Sequence, residues 1–177
     1  MSTSTGTATL WNRLKMHWVG KNAVPNTGTS PEAVGAFEVK HGVKLPADLA
    51  DYFVRLNGMD LEAPAPRGKR FRIEGQDDDC FSFWPLQRVA GASEEGRPRQ
   101  AFEGAEDYFV FADYMDWSWA YAIRLSGDGL GETPVIIVGG TKDGSPLPLA
   151  RNFSAFVELY LRGPDAIWIP KAVGVVK

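Results

Sequence analysis

Two short stretches concentrate the side chains from which a site could be assembled. Asp77, Asp78 and Asp79 stand in a row. Adjacent carboxylates are ligands for hard cations, but such an ion wants six or more oxygens arriving from converging positions. The plainer reading of a charge run is a hydrated loop between strands. Further on, Asp113-Tyr114-Met115-Asp116-Trp117-Ser118-Trp119 sets two carboxylates beside large rings. If Trp119 faces a core, alternation places Trp117 near the same face at the strand's edge. The plainer reading there is a strand entering the core, yet a ring flanked by acids makes a good interface anchor. The expected partner-binding surface therefore has Asp113, Asp116 and Trp117 at its centre, with Asp77, Asp78 and Asp79 on its rim.

Other chemistries find little to work with. His17 and His41 fall in separate expected helices, and neither belongs to a His-Glu-x-x-His pair. Cys80 is the one cysteine, so neither an intrachain disulfide nor a cysteine-rich zinc site can form. There is no Gly-x-Ser-x-Gly elbow, and Gly20-Lys21 lacks the earlier glycine of a P-loop. Gly127, Gly129 and Gly131 lead into Glu-Thr-Pro rather than a helix start, so they read as turns. Arg67, Lys69, Arg70 and Arg72 crowd one segment, read as a strand with hydrated or cross-paired charges rather than a phosphate-binding edge. The expectation is a chain without enzymatic activity that needs no cofactor, metal or disulfide.

The elements that must position these residues follow from composition and period. The chain has 177 residues, of which 44% are hydrophobic and 12% aromatic. A fold of this size buries roughly 70% of its surface, enough for one unaided core. A net charge of −3 gives no footprint for nucleic acid. No apolar run approaches the roughly 18 residues of a membrane helix, and no basic-then-apolar leader opens the chain, so a cytoplasmic protein is expected.

Leu10, Trp11, Leu14 and Trp18 predict a helix over 8–19. Ser30-Pro31-Glu32 reads as a helix start and Gly42 as its end. Pro46 opens another helix, with Leu49, Tyr52, Phe53 and Leu56 on one face and Asn57-Gly58 as its stop. The period then changes to two. Phe71–Ile73, Phe81–Trp84, Tyr108–Ala112, Trp119–Leu125 and Pro134–Val138 are the strand candidates, the last two forming a hairpin. A closing helix spans Asn152–Arg162 with Asn152 as its cap, and the apolar tail 164–177 should dock. Helices, then antiparallel strands, then a helix give a single α+β domain over 1–177, with a core of about 30–161.

The stretch "SPEAVGAFEVKHGVKLPADLADYFVRLNGM" resembles the opening signature of the SUKH superfamily: helix, "E…G…LP", helix, then "NG". "FSFWPLQRV", "YFVFADYMDWSWAYAI", "PVIIVGG" and "PLARNFSAFVELYL" resemble its later strands and closing helix, in order. The resemblance implies an antiparallel sheet with helices packed against it. It implies a protein-binding role, either an immunity protein that occludes the active site of a cognate toxin, such as a basic nuclease, or a scaffold like the fungal cell-wall-assembly regulators. A small-molecule enzyme using the acidic loops is the reading from another class. No catalytic residues come with the resemblance, and the matching residues carry fold rather than function. The N-terminal helix, the 97–106 insert and the tail are additions to a minimal member.

Overall fold

The computed structural model describes residues 4–64, 74–93, 102–129, 131–141 and 143–168. The expected strand Phe71–Ile73, the basic stretch 67–72, positions 97–101 of the insert and the tail beyond Trp168 lie outside them. The elements run α1 (Ser4–Gly20), α2 (Pro31–His41), α3 (Ala47–Arg55), β1 (Phe81–Phe83), β2 (Ala90–Gly91), β3 (Tyr108–Tyr114), β4 (Trp119–Arg124), β5 (Val135–Val138), β6 (Leu147–Ala150) and α4 (Phe153–Leu161). They form one α+β domain.

Helix limits follow local chemistry. Ser30 Oγ accepts the Ala33 N–H at 3.2 Å, Pro31 occupies the first turn, and Gly42 closes α2 at φ +65°. Asn152 Oδ1 accepts the Ala155 N–H at 2.8 Å to start α4. Beyond α3, Gly58 has φ +76°, and a Cβ there would lie 2.5 Å from the Trp84 carbonyl carbon. That close approach lets Met59 N–H donate to Phe83 O and Asn57 Oδ1 accept from Leu86 N–H, both at 2.8 Å. The end of α3 thus fixes the chain leaving β1.

The sheet is antiparallel throughout, in the order β1-β3-β4-β5-β6, with β2 pairing β3. Its front face meets all four helices. Trp11, Trp18, Phe37, Tyr52, Phe53, Phe153, Phe156 and Tyr160 pack there against Phe81, Phe83, Phe111, Tyr121 and Ile137. Phe156 alone meets Phe83, Phe111 and Tyr121 with ring centroids 5.2–5.9 Å apart. The start of the tail docks as expected: Ile167 is buried, and its carbonyl accepts the Tyr121 hydroxyl at 3.1 Å. The back face carries a smaller cluster of Trp84, Ala92, Val110, Ala120, Ala122, Ile136 and Val138.

Three departures from expectation have local causes. β2 is two residues long, too short to show a period. β6 contains Pro148, which belongs on an edge, and β6 is an edge strand. β3 runs two residues past Ala112, because β1 pairs with Ala112, Asp113 and Tyr114.

Candidate functional site

The connection from β3 to β4 winds the wrong way. Met115, Asp116 and Trp117 have φ of 48°, 48° and 69°. None is glycine, and each left-handed residue costs about 1–2 kcal/mol. Hydrogen bonds hold the turn: Met115 N–H donates to Cys80 O, Ser118 N–H to Tyr114 O, both at 2.9 Å, and Trp117 N–H to Asp113 Oδ1 at 3.2 Å. The turn leaves Asp116 exposed and Met115 48% exposed, and folds the Trp117 ring back onto Trp84 at 4.8 Å. The expectation that Trp117 shares a face with Trp119 is corrected. Trp119 stacks on Tyr114 in the front core, whereas Trp117 packs on the back cluster. Three left-handed residues interrupt the alternation on which that expectation rested.

Asp113 is also corrected, from an exposed acid to a buried one, 5% accessible. Simple alternation would put Phe109, Phe111 and Asp113 on one face. A bulge between Val110 and Ala112 breaks that pattern. Phe111 and Ala112 both join the front core, and Asp113 turns to the back. There its Oδ2 accepts the Trp84 indole N–H at 2.7 Å. Burial pushes the Asp113 carboxyl up, the Trp84 and Trp117 hydrogen bonds pull it down, Asp116 raises it and Arg88 lowers it. Above it the Arg88 guanidinium lies 4.2 Å from the Trp84 ring centre and 5.9 Å from that of Trp117. Between these groups is a cavity of about 170 Å³, bordered also by Leu61, Glu74, Gln76, Ser82 and Asp116.

The acid triplet divides. Asp77 is fully buried, which corrects its placement on a hydrated rim. Its Oδ1 accepts the N–H groups of Asp79 and Phe81, each at 2.9 Å, and its Oδ2 accepts the Tyr160 hydroxyl in a short bond. Asp78, half-buried, accepts from Asn22 Nδ2 at 2.9 Å, and Asp79 pairs with Lys21 Nζ at 2.9 Å. The triplet clamps the start of β1 to the end of α1 and to α4. It touches the β3–β4 turn through Cys80 O, while Asp77 and Asp113 face opposite sides of the sheet. Among the described residues no group of three or more His, Cys, Asp or Glu could hold a metal ion.

Residues 28–159, about three-quarters of the chain, match the model of the SMI1/KNR4 family (SUKH-1). The chain belongs to this family. Compared with curated proteins it has no match. The family includes immunity proteins and cell-wall regulators. The β3–β4 turn, the cavity and the triplet fall inside the matched span, whereas Lys21, Asn22 and Tyr160, which clamp the triplet, fall outside it. No described helix is long and apolar enough to cross a membrane.

In this family member the segment after β1 borders three hollows. Arg88 and Leu61 are shared between the acidic cavity and a groove of about 520 Å³ that runs to Asn26 and Asn57. Gln87 joins that groove to a third, about 280 Å³, against Phe37 and His41 of α2. Trp84, Ser82 and Arg88 border the cavity without having been among the expected site residues. Ser82 sits between two core phenylalanines, so its projection to the other face was readable from the period of two. Arg88 gave no local signal, because Trp84 and Arg88 meet through an irregular turn.

Proposed function

We propose that the chain is a non-enzymatic protein-binding module, and specifically an immunity protein that neutralises a cognate bacterial toxin in the cytosol by covering its active site. The observation that carries this reading is the left-handed Met115–Trp117 turn. Three strained non-glycine residues are held by Asp113, Cys80 and Tyr114 so that a methionine and a carboxylate project beside an aromatic-walled cavity. Strain of this kind concentrates at ligand clamps and active sites. An exposed Met and an acid next to anchored rings suit an interface, and the family supplies protein partners as the general expectation.

Occlusion has a stoichiometric signature. Titrating the purified chain against the toxin domain encoded beside its gene should reach an endpoint at a fixed molar ratio, with slow dissociation. Asp116→Lys, at an exposed side chain, should slow association with a basic toxin by about tenfold at low salt, judged beside its own melting curve. Trp117→Ala should weaken the complex by about 2 kcal/mol, judged beside its own melting curve because the ring also packs on Trp84. Neutralisation at a hundredth of the toxin concentration would indicate turnover and defeat the reading. Failure to bind any neighbouring gene product would favour the scaffold or regulator role.

A further inference from the structure

The acidic cavity carries more negative charge than the fold uses. Among the described residues, Glu74, Asp113 and Asp116 border it against one cation, Arg88. Asp113 is engaged by two N–H donors, whereas Asp116 stands exposed at the mouth. Ser82 lies opposite Asp113 in the β1–β3 register, is 5% exposed and borders the cavity. Its hydroxyl makes no hydrogen bond to any described residue. The hydroxyl is not sealed away from the cavity but opens into it, where it can accept from a donor that arrives from outside.

We infer that this cavity receives one guanidinium side chain, an arginine of the protein partner. The inference rests on the reading of the chain as a binding module and names what its site grips. Size fits: a cavity of about 150 Å³ holds a benzene, which is six heavy atoms, and a guanidinium with two methylenes has the same number. Two indole rings, tilted 58° to each other, give flat walls of the kind on which guanidinium groups rest. Arg88, already 4.2 Å above one of them, shows that these rings hold that group. Three carboxylates set the sign of the visitor, and the Ser82 hydroxyl accepts one of its N–H donors. Asp113, raised by burial and only partly offset by Arg88, gains a second counter-charge. An anion would meet the acids, and a bare cation would waste the aromatic walls.

The test uses the ¹⁵N-labelled full chain and reads the indole N–H signals of Trp84 and Trp117. The probes are N-acetyl-arginine amide, its lysine counterpart and its citrulline counterpart, which has nearly the shape of arginine without the charge. The arginine probe should shift both signals saturably and bind about tenfold more tightly than the citrulline probe, less so at high salt. Asp116→Asn, Glu74→Gln and Ser82→Ala should each weaken it by about threefold while the melting temperature holds. A non-saturable shift, an equal response to citrulline, or tighter binding of acetate or a nucleoside monophosphate would overturn the inference. Lysine binding as well as arginine would replace a guanidinium slot with a general cation site. Loss of arginine binding with an intact stoichiometric toxin complex removes this inference and leaves the module. Arginine binding without any protein complex does the reverse.

Discussion

Two titrating groups meet Tyr160, and folding shifts them in opposite directions. Burial pushes the Asp77 carboxyl up to about 6, against its hydrogen bonds from Tyr160 and Phe81. Between about pH 4 and 6 the folded chain therefore holds a proton that the unfolded chain has released. This contribution is full at about pH 4 and is lost as pH rises through 6. His17, with its ring 5.0 Å from that of Tyr160, is pushed down by burial and then by Lys21, with Asp79 opposing. Its contribution is full above about pH 6.5 and is lost as pH falls. Asp77→Asn should thus lose stability relative to the parent between pH 7 and pH 4.5, by something on the order of 2 kcal/mol. His17→Gln should gain relative stability over the same interval. Urea titrations at the two pH values measure both, and parallel behaviour of the variants would show that the assignments are wrong. Nothing local in Asp-Asp-Asp separates the three side chains. They differ because Tyr160, Asn22 and Lys21 arrive from more than 50 residues away in either direction.

Helix ends were readable because their chemistry is contained within four residues. Ser30, Pro31, Gly42 and Asn152 occupy the positions that their types suggested. Asn152→Ala should cost about 1 kcal/mol by urea denaturation, with Asn152→Asp recovering most of it. The loss stays modest because Asp48 Oδ2 also accepts the N–H and the hydroxyl of Ser154, at 2.9 and 2.8 Å. Strands were readable where alternation ran unbroken, as in β4, and misread where one extra residue intervened. The β3 bulge shifts the alternation beyond it, so Asp113, expected at a partner-binding surface, turns instead to the back of the sheet and is buried there. The left-handed turn was equally hidden, since Met and Trp carry none of the preference that Gly or Asn would have advertised and Asp carries only a weaker form of it.

The two sides of the sheet divide the molecule's tasks. The front is a continuous aromatic core, and Phe156→Ala should cost about 3–5 kcal/mol and lower the melting temperature accordingly. The back is a thin apolar layer supporting the strained turn and the acidic cavity, so the same variant should leave the indole signals of Trp84 and Trp117 unchanged below its melting point. The α+β class and the order of the longer elements followed from the sequence, because helix and strand periods sit in separate segments: three helices, the strands, then a closing helix. The sidedness of the candidate site did not, because it depends on which strand edge β1 and β2 occupy. Packing across the front also sets a timetable. Trp11 lies 5.8 Å from Phe153, about 140 residues later in the chain. A ribosome adding about 5–20 residues per second keeps the earlier ring waiting roughly 7–28 s for its neighbour. Throughout that interval the nascent chain displays Trp11 and Trp18 without the helix that covers them, making this opening segment a natural client for a chaperone.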